Sequence, residues 1–457
     1  MLIALSSFSY QSSTATAALI HVTSQADTAL KERHPRLNFE SCTKAKGCVK
    51  IKASVTLDAT YRKFHSKEDP SKPCLVKGSW DPELCPNEVE CLKNCVTDGV
   101  SDYSEFAGVS NPDDSSVSLK LVVENKETKA VSIGSRIYLL DDNGRYVIHK
   151  LKGKEISVDV DVSRIGCAVN GQFYLTEMSE DGGSKNQSFM NTAQPGSFSG
   201  TGYCSSACPA DLAFIGTEIN LELKRKGAIP KGACCNHMSL IGTNAFAQVM
   251  NAHSCAASGQ KICTGKECEQ GPEGICDRNG CEFNPYRIGS PDFFGPGKTV
   301  DSASPFKVVT QFITDAKGEL SEVRRLYVQG GKIIENAHGG YPKLKSFNSI
   351  TNEFCSESAK VFGGPDKFTD MGGLKHLSDS LDRGMVLVMS LWDDKGDDNM
   401  LWFDGAFPPD VDPKKPGISR GPCTRADSNA TDFELKNPEA FVQFSNIRVG
   451  ELDSTYT

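Results

Sequence analysis

Ala233-Cys234-Cys235-Asn236-His237-Met238-Ser239-Leu240-Ile241-Gly242-Thr243-Asn244 is the stretch around which the rest of the chain is organised. As a strand it sends residues i and i+2 to one face, so His237 and Ser239 share a side. Gly242 reaches that side only where the chain bends or bulges. An imidazole can transfer a proton, but this serine has no local base and the glycine has no side chain. From Leu223 to Lys266 there is not one Asp or Glu, although 58 acids in 457 residues would place about five or six there. The same window carries Lys224, Arg225, Lys226, Lys231, Lys261 and Lys266, a basic stretch in a chain of net charge -8.

That acidic balance, with a pI near 5.6, argues against nucleic acid or an anionic membrane surface as a partner. No apolar run approaches the ~20 residues that span a bilayer. Gly 41 and Pro 22 against 8% aromatic residues suit a loop-rich all-β protein. No Ser/Thr/Pro-rich tract, charge block or internal repeat marks a linker. The opening Met1-Leu2-Ile3-Ala4-Leu5 through Ala17-Ala18-Leu19-Ile20 resembles a weak secretory signal without a basic start. The reading assigns 1–24 to that signal and 25–457 to one domain. Asn186-Gln187-Ser188 and Asn429-Ala430-Thr431 are glycosylation sequons, which have meaning if the chain is secreted.

Eighteen cysteines, an even number, point to disulfide staples in an oxidising compartment. Zinc wants ligands that converge tetrahedrally from short pairs, which the adjacent Cys234 and Cys235 suit poorly. No metal and no cofactor are expected.

Val49–Asp58, Ser116–Val122 and Ile156–Val162 alternate with a period of two and read as half-buried strands. Further strands are expected at Arg136–Leu140, Gln172–Met178, Lys307–Ile313, Arg324–Gln329, Val386–Ser390 and Phe441–Val449. Helices fit Cys355–Val361 and Asp370–Leu381. Many short strands and few helices imply two stacked antiparallel sheets.

A series of motifs narrows this further. Val55-Thr56-Leu57-Asp58-Ala59-Thr60-Tyr61-Arg62, Gly202-Tyr203-Cys204, the opening run itself, Asn284-Pro285-Tyr286-Arg287, Val309-Thr310-Gln311-Phe312, Gly384 through Asp394, Asn399-Met400-Leu401-Trp402 and Arg420-Gly421 follow in order. With them the chain, over roughly residues 37 to 450, resembles glycoside hydrolase family 7, the cellobiohydrolases and endoglucanases. The resemblance implies a concanavalin A-like β-jelly-roll sandwich whose concave face holds a polysaccharide groove, with no separate carbohydrate-binding module. It also implies nine disulfides: Cys42–Cys48, Cys74–Cys95, Cys85–Cys91, Cys167–Cys423, Cys204–Cys235, Cys208–Cys234, Cys255–Cys276, Cys263–Cys268 and Cys281–Cys355.

In that family the run carries Glu-x-Asp-x-x-Glu, the first Glu being nucleophile, the last acid/base and the Asp a supporting partner. Two carboxyl groups roughly 5 Å apart are what retaining hydrolysis needs. Here the three positions hold His237, Ser239 and Gly242, so the resemblance leads to an inactive, secreted glucan-binding protein. An active cellulase with displaced residues and a structural cell-wall protein remain as alternatives. The glycan-binding positions it implies are Tyr61, Arg62, Asn170, Tyr174, His253, Trp392, Asp393, Trp402 and Arg420. Trp392 falls at a product-side sugar platform and Trp402 near the groove centre; an alternative reading makes both of them sandwich core. Lys63 and Ile241 stand where two further Trp are expected, and the short Cys268–Cys276 segment implies an open cleft. The expected partner is cellulose or another β-1,4-glucan, bound by a monomer.

Overall fold

The computed structural model describes residues 32–456 except 77, 127–128, 130, 185–194, 224–228, 230, 270 and 272. The expected signal and the Asn186 sequon therefore lie outside the described residues.

Two large sheets stack face to face. The first has nine strands, with Gly47–Ile51, Phe39–Thr43, Phe441–Glu451, Lys154–Asp161, Phe306–Thr314, Leu320–Gln329 and Lys332–Glu335 side by side. The second has eight, running Cys281–Phe283, Gln248–His253, His237–Thr243, Val169–Thr176, Met385–Asp393, Ser135–Leu140 and Ser54–Leu57, with Ile148–His149 beside Met385–Asp393. Pairing is antiparallel in both, except that Phe39–Thr43 lies parallel to Phe441–Glu451. This is the expected jelly-roll sandwich.

Alternation builds the core. Ile156, Val158 and Val160 from the first sheet meet Phe173, Leu175, Leu387, Met389 and Leu391 from the second, all in one buried cluster. Burying each such side chain is worth about 1.5–3 kcal/mol relative to exposure. The residues between them on the second sheet, such as Asn170, Gln172, Tyr174 and Ser390, therefore face the other way and pave the concave side.

The expected single strand over Val49–Asp58 is two strands in different sheets, Gly47–Ile51 and Ser54–Leu57. Gly47–Ile51 is exposed along its whole length and Ser54–Leu57 buries Val55, Thr56 and Leu57, so the period-two pattern of the sequence is not matched by alternate burial and does not reveal the change of sheet. The two expected helices form as Asn352–Phe362 and Gly373–Arg383, the second starting three residues later than expected. A separate turn of helix, Lys367–Asp370, precedes it.

Nine disulfides close between the pairs implied by the family, and no cysteine is free. Cys204–Cys235 and Cys208–Cys234 tie one loop to the root of the opening run, so its first residues are anchored to the loop that borders His237.

Candidate functional site

His237–Thr243 lies between Val169–Thr176 and Gln248–His253 on the concave sheet. Its register slips between Ser239 and Gly242, where Leu240 and Ile241 both turn into the core. This bulge returns Gly242 to the face that His237 and Ser239 occupy. A Cβ built on Gly242 would stand 3.1 Å from Val249 Cγ1, 3.3 Å from Asn170 Oδ1 and 3.6 Å from Phe403 Cε2. The three positions implied by the family are thus brought to one floor. Arg325, reaching from the other sheet, donates from Nη2 to the Leu240 carbonyl that the bulge turns inward.

His237 and His253 are cross-strand partners whose rings stack in parallel with centroids 4.6 Å apart. The Tyr174 ring meets His237 edge-on at 5.0 Å. Ser206 Oγ lies 3.5 Å from His237 Nδ1, and His253 Nδ1 lies 3.0 Å from the Asp277 carbonyl oxygen. Burial pushes His253 down to about 4. Burial and then the neighbouring His253 hold His237 well below its ordinary value. His253 is therefore expected to stay neutral down to about pH 5, and His237 is shifted in the same direction. Imidazole nitrogen shifts followed by NMR through a pH titration check this; a cationic ring at pH 6 contradicts it.

The floor is otherwise polar and uncharged. His237 Nε2, Ser239 Oγ, Ser390 Oγ and both side-chain atoms of Asn170 are buried without a hydrogen-bond partner. Among the described residues no carboxylate bonds to His237 or Ser239. Glu282, on the flanking strand, is held by Arg287 at 2.7 Å, with Arg420 Nε at 3.9 Å. Asp58 is taken by Arg136 at 3.0 Å and by the Tyr138 hydroxyl.

At one end Trp392 and Trp402 stack with centroids 5.9 Å apart and pack against Ala247, Val249, Met400 and Phe403. Trp392 Nε1 donates to Gln172 Oε1 at 3.2 Å and Trp402 Nε1 to Asp394 Oδ2 at 3.0 Å. Both indoles are half-buried, so they are neither free platforms nor closed core. Asp393 beside them is pushed up to about 7, by burial and then by Glu434, which Lys395 in turn holds at 2.7 Å. At the other end the Tyr174 hydroxyl bonds Tyr203 at 3.0 Å, and the Arg136 guanidinium lies 3.6 Å over the Tyr203 ring.

Arg62, expected at the groove, is turned to the interior. It is buried, its two terminal nitrogens pair with the Glu32 oxygens at 2.8 and 2.9 Å, and Nε donates to the Leu57 carbonyl. A guanidinium enclosed this way anchors the segment before the first strand, with its terminal nitrogens committed to Glu32. Neighbouring Tyr61 is held mostly inside too, its phenol pushed up to about 12 by burial. Arg420 spends one terminal nitrogen on the Phe407 and Ile418 carbonyls. Asn429 caps the helix Ala430–Lys436 by accepting from the Asp432 amide.

Sequence reasoning missed Gln172, Ser390, Arg136, Tyr203 and Phe403. The alternation of Val169–Thr176 and Met385–Asp393 could have placed Gln172 and Ser390 on the concave face. Nothing local signals that Phe403 folds back over Gly242.

A family model described as glycosyl hydrolase family 7 matches residues 26–456. The fold is similar to a family 7 cellobiohydrolase from Daphnia pulex, at 34% identity and a TM-score of 0.86, covering 93% of this chain and 98% of that one. It is also similar to a Melanocarpus albomyces cellobiohydrolase complexed with cellotetraose (34%, TM-score 0.82) and to the Humicola insolens endocellulase EGI (33%, TM-score 0.79), each over the same shares. Sandwich, bulged central strand and sequence match agree: the chain belongs to glycosyl hydrolase family 7.

Proposed function

We propose that this is a secreted, monomeric, non-catalytic member of the family that binds β-1,4-glucan in the groove. The observation that carries this is the floor itself: His237, Ser239 and Gly242 stand at the acid positions, and Val249 and Asn170 crowd the place of a Cβ on Gly242. An oxocarbenium-like transition state needs negative charge beside it, and this floor supplies neutral imidazoles. Unpartnered donors and acceptors on Asn170, Ser239 and Ser390 suit a hydroxyl-rich ligand, since each costs about 1–3 kcal/mol if buried unpaired. The cellotetraose held by the Melanocarpus relative supports a glucan as that ligand. The nine disulfides and the Asn429 sequon fit an extracellular protein, with 1–24 as its signal.

Pull-down on cellulose and on a panel of soluble glucans tests the reading, and binding to none rejects it. Trp392→Ala is expected to weaken binding about 10- to 30-fold, the range of one aromatic anchor worth 1.4–2 kcal/mol. Unchanged binding in both Trp392→Ala and Trp402→Ala favours a structural wall protein with a vestigial groove.

One observation favours a second reading, an active β-glucanase with displaced residues. Asp393, next in sequence to Trp392 although paired with the core residue Val169, has a carboxyl raised by burial and then by Glu434, the direction a general acid needs. Reducing-sugar release that survives purification and is abolished by Asp393→Asn supports it.

A further inference from the structure

A cavity of about 830 Å³ lies apart from His237, Ser239 and Gly242, with none of the three in its lining. Phe39 and Val449 from the nine-stranded sheet form one wall, and Ile148, His149 and Met178 from the other side form the opposite one. Ligand sites of roughly 300–1,000 Å³ combine such an apolar lining with a few placed polar groups.

Two of those groups are unsatisfied. His149 is 4% exposed, its ring meets Phe39 edge-on at 5.5 Å, and its Nε2 is buried without a partner. Gln260 Nε2, on the same cavity, is a buried donor without an acceptor. The acids of the wall are already matched: Glu177 by Arg383, Ser380 and Asn236, and Glu180 by Arg145. Lys150 and Lys154 also line the cavity, and among the described residues neither joins an ion pair. The cavity therefore offers an apolar body, an orphaned amide donor, an orphaned imidazole nitrogen and two unmatched cations in an otherwise acidic protein.

We propose that this cavity is a second ligand site, independent of the glucan groove, which takes a small amphipathic carboxylate. The ring or chain of such a ligand lies on Phe39, Ile148, Met178 and Val449. Its carboxylate accepts from Gln260 Nε2 and is attracted by Lys150 and Lys154; the His149 ring, neutral and carrying its proton on Nε2, is the further donor. A neutral sugar fits less well, because it brings no charge to meet Lys150 and Lys154.

The test uses the whole protein with trans-cinnamate, and with cinnamamide as its uncharged counterpart. Calorimetry should show cinnamate binding at least about tenfold more tightly than the amide, the scale of one charge-assisted contact. The imidazole resonances of His149 should move on titration. The exposed double variant Lys150→Glu/Lys154→Glu should weaken cinnamate about tenfold or more, while Trp392→Ala leaves it unchanged. Because His149 is buried and its replacement can unfold the sheet end, Gln260→Leu serves as the second variant, with the same direction of effect. No cinnamate binding at millimolar concentration, equal affinity for the amide, or affinity indifferent to the lysine and Gln260 variants overturns the proposal. Loss of glucan binding in the groove leaves it standing, so the two readings fail separately.

Discussion

Purified protein should release reducing sugar from β-1,4-glucan at least roughly 10⁴-fold more slowly than a member of the family with its acids in place. Both halves of a retaining mechanism depend on carboxyl groups: one to form the glycosyl-enzyme bond, one to protonate the leaving oxygen and then activate water. His237 is neutral and buried, Ser239 Oγ has no base within hydrogen-bonding distance, and Gly242 has nothing to offer. The restoration experiment sharpens this. His237→Glu, Ser239→Asp and Gly242→Glu together place carboxylates at the three positions, but a Cβ on residue 242 would sit 3.1 Å from Val249 Cγ1 and 3.3 Å from Asn170 Oδ1. The triple variant is therefore expected to remain nearly inactive until Val249→Ala opens the space. Full activity in the triple variant alone means that the crowding is relieved without cost. Turnover by the native chain, surviving repurification, ends the non-catalytic reading.

Arg62→Ala should destabilise the fold by about 3–5 kcal/mol, the range for breaking one partner out of a buried ion pair. Removing the guanidinium leaves the Glu32 carboxylate in the interior with only the Tyr103 hydroxyl and His34 nearby. Replacing both partners, Arg62→Met with Glu32→Leu, should recover much of the loss, because no unpaired charge remains. Glu32 also sets a pH window. Burial alone would raise its carboxyl, but Arg62, with smaller help from His34 and Tyr103, holds it below the ordinary value. The pair therefore contributes fully above the unfolded carboxylate value near 4.5, and its contribution fades as pH falls through the lower folded value. Urea denaturation of native and Arg62→Ala protein at pH 7 and pH 3 checks the sign: the gap should narrow in acid. Glucan binding at pH 7 should be unchanged in the double variant, since neither residue reaches the groove.

The sequence by itself determined the class, the family and the register of the site. Strand alternation, the ordered motifs and the even set of cysteines each reflect contacts that repeat locally, or a pattern of bridges that one resemblance carries over whole. Even the bulge was legible in outline, because Gly242 can join the face of His237 and Ser239 only if the strand slips. Tertiary structure alone decided the rest. Arg62 follows directly on Tyr61 in a segment matched to the groove, yet its guanidinium turns inward because Glu32, 30 residues away, folds across to meet it. The Phe403 ring edge reaches Gly242, and Trp402 stacks on Trp392, from a helical turn at Leu401–Asp404 whose placement no local spacing encodes. The cavity beside His149 is lined from both sheets, and burial there depends on residues more than 200 positions apart. Periodicity records which way a side chain leaves its own strand; what it meets is set by where distant strands are brought.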